Sequence, residues 1–215
     1  MMNPTILDVA DLRFAYPGQP PIVAGWSVSI AAGVTLLQGD TGSGTSTLLR
    51  VLAGTQPAEG RLTLAGVRLD EDAQGYQRNV FFCDPPNEAF EQVTAREATV
   101  SLSGGDTRFS ATRWHDLVEG FALAPHLDKP MFMLSTGSKR KVWLAAALAS
   151  GRALVLLDEP TGGLDAASIA CLFGALGSVA QRGDQAVAVA SAQQPTRVSL
   201  AAVVALPIIA HPPRP

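Results

Sequence analysis

An apolar run, Val34-Thr35-Leu36-Leu37, passes through Gln38 into Gly39-Asp40-Thr41-Gly42-Ser43-Gly44-Thr45-Ser46-Thr47 and then into Leu48-Leu49-Arg50-Val51-Leu52. This reads as a strand, a glycine-rich turn and the start of a helix, a combination that leaves few folds open. The glycines at 39, 42 and 44 let backbone amides turn inward around an anion, and a helix starting near Gly44 adds free N–H groups and a positive dipole end. The stretch fits the phosphate-loop pattern G-x-x-x-x-G-K-[ST] at every defined position except one, because the lysine position holds Thr45.

The loop needs a sheet around it, and 215 residues suffice for one substantial α/β domain with an inserted lobe. A hydrophobic content of 47% against 16% charged residues fits a well-buried globular chain with some surface left for a partner. A net charge of −3, with Lys139-Arg140-Lys141 as the one dense basic run, gives no electrostatic footprint for nucleic acid. Cys83 and Cys171 stand far apart, which favours neither a disulfide framework nor a zinc site. Residues 1–12 carry Asp8 and Asp11 and do not read as a signal peptide, and the longest apolar run, 198–210, is too short for a bilayer and contains Pro207.

Strands are expected over 5–16, 26–30, 61–66 with a second short run to 69, 80–83, 153–157, 186–190 and 201–206, with a Pro-rich tail after the last. Between 86 and 133 the pattern changes: 94–102 and 110–123 read as helices with no strand between them, an inserted helical lobe. Further helices are expected over 137–149 and 166–181. Tyr16, at the tip of the first hairpin, either stacks on a nucleobase or packs on its neighbours. Leu154-Val155-Leu156-Leu157-Asp158-Glu159 is a buried strand that ends in two carboxylates, at the edge where open parallel sheets keep their ligands. There Asp158 suits a Mg²⁺ ion and Glu159 suits the base that orients and deprotonates an attacking water.

In this order the motifs resemble those of the nucleotide-binding subunits of ATP-binding cassette (ABC) transporters, over nearly the whole chain. The resemblance implies an α/β P-loop NTPase (RecA-like) core with an N-terminal antiparallel β subdomain and an inserted helical subdomain at about 86–150, all in a single domain 1–215. It makes Tyr16 and the loop Gly39, Asp40, Thr41, Gly42, Ser43, Gly44, Thr45, Ser46 and Thr47 the ATP contacts, and Ser46, Asp158 and Asp84 the Mg²⁺ ligands. It also makes Glu159 the catalytic residue, Asp165 the D-loop residue, Asp84 the occupant of the Q-loop position and Ala192 the occupant of the H-loop position. Two segments compete for the family's L-S-G-G-Q signature. Leu102-Ser103-Gly104-Gly105-Asp106 is closer in letters, but Leu134-Ser135-Thr136-Gly137-Ser138 sits directly before the helix that leads to the Asp158 strand, and placement favours it. In the family the signature meets ATP held by another subunit, so the resemblance implies a head-to-tail dimer, homomeric or with another ABC subunit, sandwiching two ATP molecules. It further implies a separate membrane-spanning permease facing 84–97 and a location on the cytoplasmic face of the membrane.

The chain departs from the family at three positions. Thr45 replaces the lysine that balances phosphate charge, and losing a charged hydrogen bond of about 1.5–3 kcal/mol weakens binding roughly ten- to a hundredfold. Asp84 replaces a glutamine, and Ala192 replaces the histidine that senses the γ-phosphate. His115, His126 and His211 offer no obvious substitute, Arg50 lies more than a turn beyond Thr45, and Lys139 is the remaining candidate for reaching opposing phosphates across a dimer. Two readings follow: an ATPase that drives a permease, with impaired hydrolysis, or a non-hydrolysing regulatory module or soluble ABC protein.

Overall fold

The computed structural model describes residues 4–82, 88–195 and 198–209. In chain order the strands are β1 (Thr5–Phe14), β2 (Val23–Ala31), β3 (Gly33–Gln38), β4 (Glu59–Leu64), β5 (Val67–Arg68), β6 (Val80–Phe82), β7 (Leu154–Asp158), β8 (Ala186–Ser191), β9 (Leu200–Ala205) and β10 (Ile208–Ile209). The helices are α1 (Thr45–Leu52), α2 (Ala73–Arg78), α3 (Ala95–Leu102), α4 (Ala111–Gly120), α5 (Thr136–Ala149) and α6 (Ala166–Arg182). One sheet runs β10-β2-β1-β4-β5 and is antiparallel apart from the β10–β2 pair, and the other runs β6-β7-β8-β3-β9 with every pair parallel. This is the α/β architecture expected from the alternation of elements, with α3 and α4 between β6 and α5.

A parallel sheet must be covered on both faces, and the strand sequences specify what covers each. Along β7 and β8, Val155, Leu157, Val187 and Val189 join one core with Leu117 of α4, Val142 of α5 and Leu172 and Leu176 of α6. The alternate residues Leu154, Leu156, Ala186, Ala188 and Ala190 join a second core with Leu48, Leu49 and Leu52 of α1 and with Leu7, Val9 and Trp26 of the antiparallel sheet. The alternation of alanine and valine in β8 therefore separates two packing partners, with small side chains where α1 approaches and larger ones towards α5 and α6. Each fully buried Leu contributes about 1.5–3 kcal/mol against exposure.

Several local signals set the boundaries. Thr94 and Glu97 form a reciprocal capping box at α3, Ser110 caps α4, and Gly183 closes α6 in a left-handed conformation. Asp165 caps α6 by accepting from the Ser168 amide at 2.8 Å, and its other oxygen pairs with Lys141 Nζ at 2.7 Å. Two elements depart from the sequence reading. Helix α2 has no apolar period; it is started by Asp72, which accepts from the Gly75 amide, and is anchored by the buried Tyr76, whose hydroxyl donates to the Leu52 carbonyl at 2.8 Å. In the expected tail, Ile208 and Ile209 pair with Val23 and Ala24 of β2.

Burial pushes the Tyr76 hydroxyl well above its ordinary pKa, so it remains a donor at any working pH. Tyr76→Phe orphans the Leu52 carbonyl and is expected to cost about 1–3 kcal/mol, read as a lower urea midpoint at unchanged m; an unchanged midpoint contradicts this role. Lys141 first, and then the Ser168 amide and hydroxyl, hold the Asp165 carboxyl well below the usual carboxylate range. A depressed folded pKa stabilises the native state above the unfolded value of about 3.9, and that effect is lost progressively as the pH falls from there through the lower folded value. The urea-midpoint advantage of wild type over Asp165→Asn should therefore be full near neutral pH and shrink below about pH 4. An advantage independent of pH contradicts the pairing.

Candidate functional site

Across the parallel sheet, Asp158 of β7 is level with Ala190 of β8, which is level with Leu37 of β3, and Gln38 is level with Ser191. This register brings three chain segments to one carboxyl edge: the glycine loop after β3, Asp158-Glu159 after β7, and Ser191-Ala192 after β8. Phe82 is level with Leu156, so β6 ends near the same edge. Asp84 lies outside the described residues.

The loop from Gly39 to Gly44 is built around left-handed glycines. Gly42 has φ 86° and Gly44 φ 96°, and a Cβ on Gly44 would lie 2.6 Å from Ile22 Cγ2, so a side chain at position 44 would strain the backbone and displace Ile22. The Ser43 amide donates to Asp40 O at 2.9 Å and the Leu48 amide to Gly44 O at 2.9 Å. The residue at the N-cap of α1 is Gly44, and no side chain caps the helix. The first-turn amides of Thr45, Ser46 and Thr47 therefore have no intrahelical acceptor. Ser43 Oγ is buried without a hydrogen-bond partner. Uncapped amides and an orphaned buried hydroxyl in one loop fit a phosphate, which supplies several acceptor oxygens.

Tyr16 takes up a position between its two expected roles. Its ring packs edge-on against Phe14 at 5.1 Å, its hydroxyl lies 3.1 Å from Thr47 Oγ1 at the start of α1, and 43% of the residue stays exposed. It packs on its neighbours and still presents open surface beside the loop.

Glu159 adopts a left-handed backbone, φ 39°, rare for a residue with a side chain. Its amide donates to Ala190 O at 3.0 Å. Its carboxylate accepts from Ser191 Oγ at 3.3 Å and from the Ala192 amide at 3.2 Å. The position where the family's histidine is expected thus meets Glu159 through a backbone N–H and a neighbouring hydroxyl. Sequence reasoning missed Ser191 here, although its place at the end of β8, beside the expected histidine, was a visible signal.

The two candidate signature segments differ in local structure. Ser135 is the N-cap of α5, accepting from the Ser138 amide at 3.1 Å, with Ser138 Oγ 3.0 Å from its own. Leu134 is buried beneath, Thr136 is exposed, and Gly137 packs so closely on the 160s loop that a Cβ would lie 2.6 Å from Gly163 O. By contrast, Leu102 and Ser103 end α3, where a helix presents carbonyls and the negative end of its dipole. That segment is a structural joint: Leu102 O accepts from Arg152 at 2.9 Å, and Asp106 accepts from Ser150 Oγ and the Gly151 amide at 2.9 and 2.8 Å.

Lys139 does not stand free for opposing phosphates, because its ammonium pairs with both oxygens of Glu91 at 2.6 and 2.7 Å within the same chain. Of the histidines, His115 is exposed, His126 approaches Lys129, and His211 lies outside the described residues. Among the described residues no group of three or more His, Cys, Asp or Glu side chains forms a metal cage. Ser46 and Asp158 offer hard oxygen donors at the same sheet edge, the chemistry of a Mg²⁺ ion that takes its remaining ligands from phosphate and water. Among the described residues no helix is long and apolar enough to cross a membrane.

This geometry accords with known proteins. The family model for ABC transporters matches residues 24–162. The cytochrome c biogenesis ATP-binding export protein CcmA of Rhodospirillum rubrum is 38% identical over 157 residues, 72% of this chain and 67% of that protein. The zinc import ATP-binding protein ZnuC of Halorhodospira halophila is 38% identical over 160 residues, 74% of this chain and 56% of that protein. The match thus spans between about half and two thirds of these relatives' lengths. A putative ABC transporter ATP-binding protein from Pyrococcus furiosus shares the fold, with a TM-score of 0.74 and 20% identity over 93% of this chain and 96% of that one. With the loop at Gly39, the paired carboxylates at Asp158 and the capped segment at Ser135 on one framework, the chain belongs to the ABC transporter family, as one of its ATP-binding domains.

Proposed function

We propose that this chain binds Mg·ATP and couples it to a membrane-spanning permease, hydrolysing slowly. The observation that carries the reading is the loop at the start of α1, with first-turn amides that no side chain caps and the buried, unpartnered Ser43 Oγ, on the sheet edge that also holds Asp158 and Glu159. The whole chain, 1–215, acts as one ATP-binding domain with a helical part at about 86–150.

In this reading the phosphates lie on the backbone from Gly39 to Thr47, and the base rests beside Tyr16. Ser46 and Asp158 hold Mg²⁺, joined by Asp84, and the ion neutralises phosphate charge. Glu159 orients a water and takes its proton, for which its carboxylate must leave Ser191 and Ala192. The segment Leu134, Ser135, Thr136, Gly137 and Ser138 turns the N-terminus of α5 towards the γ-phosphate held by a second subunit, in a head-to-tail dimer with itself or another ABC subunit. Asp165, fixed by Lys141 and Ser168, shapes the loop between the two sites.

The permease docks on the surface just before the signature, where Phe132 and Met133 are 52% and 64% exposed, together with the segment 84–97. This places the chain on the cytoplasmic face of the membrane. Hydrolysis is slow because Thr45 brings no cation to the developing charge and Ala192 brings no imidazole. The second reading, a regulatory module that binds nucleotide without turnover, is favoured by the same two residues and by the engagement of Glu159 with Ser191 and Ala192.

Steady-state Mg·ATP hydrolysis separates the two. Wild type should turn over slowly, Thr45→Lys with Ala192→His should raise kcat by about 10²-fold or more, and Glu159→Gln should abolish turnover in either background. Turnover insensitive to Glu159→Gln contradicts the ATPase reading. No gain from the double restoration, with a permease present, contradicts the account of slow hydrolysis.

A further inference from the structure

Each side chain of the basic run Lys139-Arg140-Lys141 has its own partner within the fold. Lys139 binds Glu91, Lys141 binds Asp165, and Arg140 points to backbone. One terminal nitrogen of Arg140, Nη1, donates to the carbonyl of Glu159 at 3.0 Å and also to the carbonyl of Gly162. These carbonyls bracket the turn 159–162, which is closed by the Gly162 amide donating to Glu159 O at 3.1 Å. The seat depends on the residue at 162, since a Cβ there would fall 2.2 Å from Nη1.

We infer that Arg140 is a positioning residue for Glu159, holding the left-handed Glu159 turn against the first turns of α5 so that the carboxylate and the signature segment move as one body. Of the three basic side chains, only Arg140 contacts the residue that bears the carboxylate. A left-handed backbone at a residue with a Cβ persists only where its surroundings hold it, and Glu159 is held at three points. Its amide is held by Ala190 O, its carboxylate by Ser191 and Ala192, and its carbonyl by Arg140 and the Gly162 amide. When the carboxylate leaves Ser191 and Ala192 to meet a water, the amide and carbonyl contacts are those that remain. Arg140 then fixes where the carboxylate can swing, and through α5 it ties that swing to the position of Ser135. The inference rests on the proposed role of Glu159 as base, but the contact itself is testable without turnover.

The test combines amide hydrogen exchange with kinetics on the full chain for Arg140→Gln, Arg140→Lys and Gly162→Ala. Loss of a charge-assisted hydrogen bond predicts that Arg140→Gln raises exchange about tenfold or more at the Gly162 and Ala192 amides, with 144–148 of α5 unchanged. Gly162→Ala, which evicts the guanidinium, should reproduce the effect. Because a single nitrogen makes both bonds, Arg140→Lys should restore most of the protection. In a Thr45→Lys background, Arg140→Gln should lower kcat about tenfold with KM changed less than about twofold, and Arg140→Lys should recover it. Unchanged protection at Gly162 and Ala192, or an equal loss throughout α5, overturns the positioning role. If exchange responds as expected but Glu159→Gln leaves turnover intact, Arg140 holds the turn and the assignment of Glu159 as base fails.

Discussion

The structure depends on the register of three adjacent parallel strands, β7, β8 and β3, because that register decides which loops meet. Parallel pairing puts all their carboxyl ends on one edge and requires helices on both faces, so the chain cannot place its phosphate loop without also placing Asp158 and Ser191 beside it. The alternation of alanine and valine in β8 makes the register specific. A slip by one residue would turn Val187 and Val189 into α1 and the alanines away from it, exchanging the two cores.

On that framework the site has a distinctive balance of charge. The cation expected at position 45 is absent, and the nearby basic residues on α5 are committed elsewhere, to Glu91, to the Glu159 turn and to Asp165. In the proposed reading, phosphate recognition therefore falls to neutral donors, the uncapped amides at the start of α1 and the unpartnered hydroxyl of Ser43. Such donors orient an anion well and neutralise it poorly, which favours holding a nucleotide over stabilising a transition state. Glu159 shows the same pattern, with its carboxylate engaged by two neutral donors, the Ser191 hydroxyl and the Ala192 amide.

Much of this was legible in the sequence, for identifiable reasons. The glycine loop was readable because its backbone angles exclude other residues, and the paired carboxylates because they follow a run of apolar residues. The helices expected from 94 and 110 begin one residue later as α3 and α4, with Thr94 and Ser110 as their N-caps. Helix α2 was hidden because one buried tyrosine, not a periodic apolar face, holds it. The pairing of Ile208 and Ile209 with β2 was hidden because it joins the end of the described chain to its first hairpin, and no local pattern reports such a contact. The partners of Lys139, Arg140 and Lys141 lie 48, 19 and 24 residues away in sequence, so the sequence showed a basic run with Lys139 as a phosphate candidate and none of these pairings. Order along the chain favours Leu134–Ser138 over Leu102–Asp106 as the signature, and the two differ in a way that letters do not report: the first opens a helix and the second lies at the end of one.

The central claim is that the loop from Gly39 to Thr47 holds nucleotide phosphates through backbone amides and hydroxyls without a lysine. Equilibrium titration of the wild-type chain with Mg·ATP and with adenosine, beside Thr45→Lys with Mg·ATP, tests it most directly. The account predicts that wild type binds Mg·ATP far more tightly than adenosine, and that Thr45→Lys tightens Mg·ATP roughly ten- to a hundredfold. Equal affinity for adenosine and Mg·ATP, or no Mg·ATP binding by either protein, would contradict it.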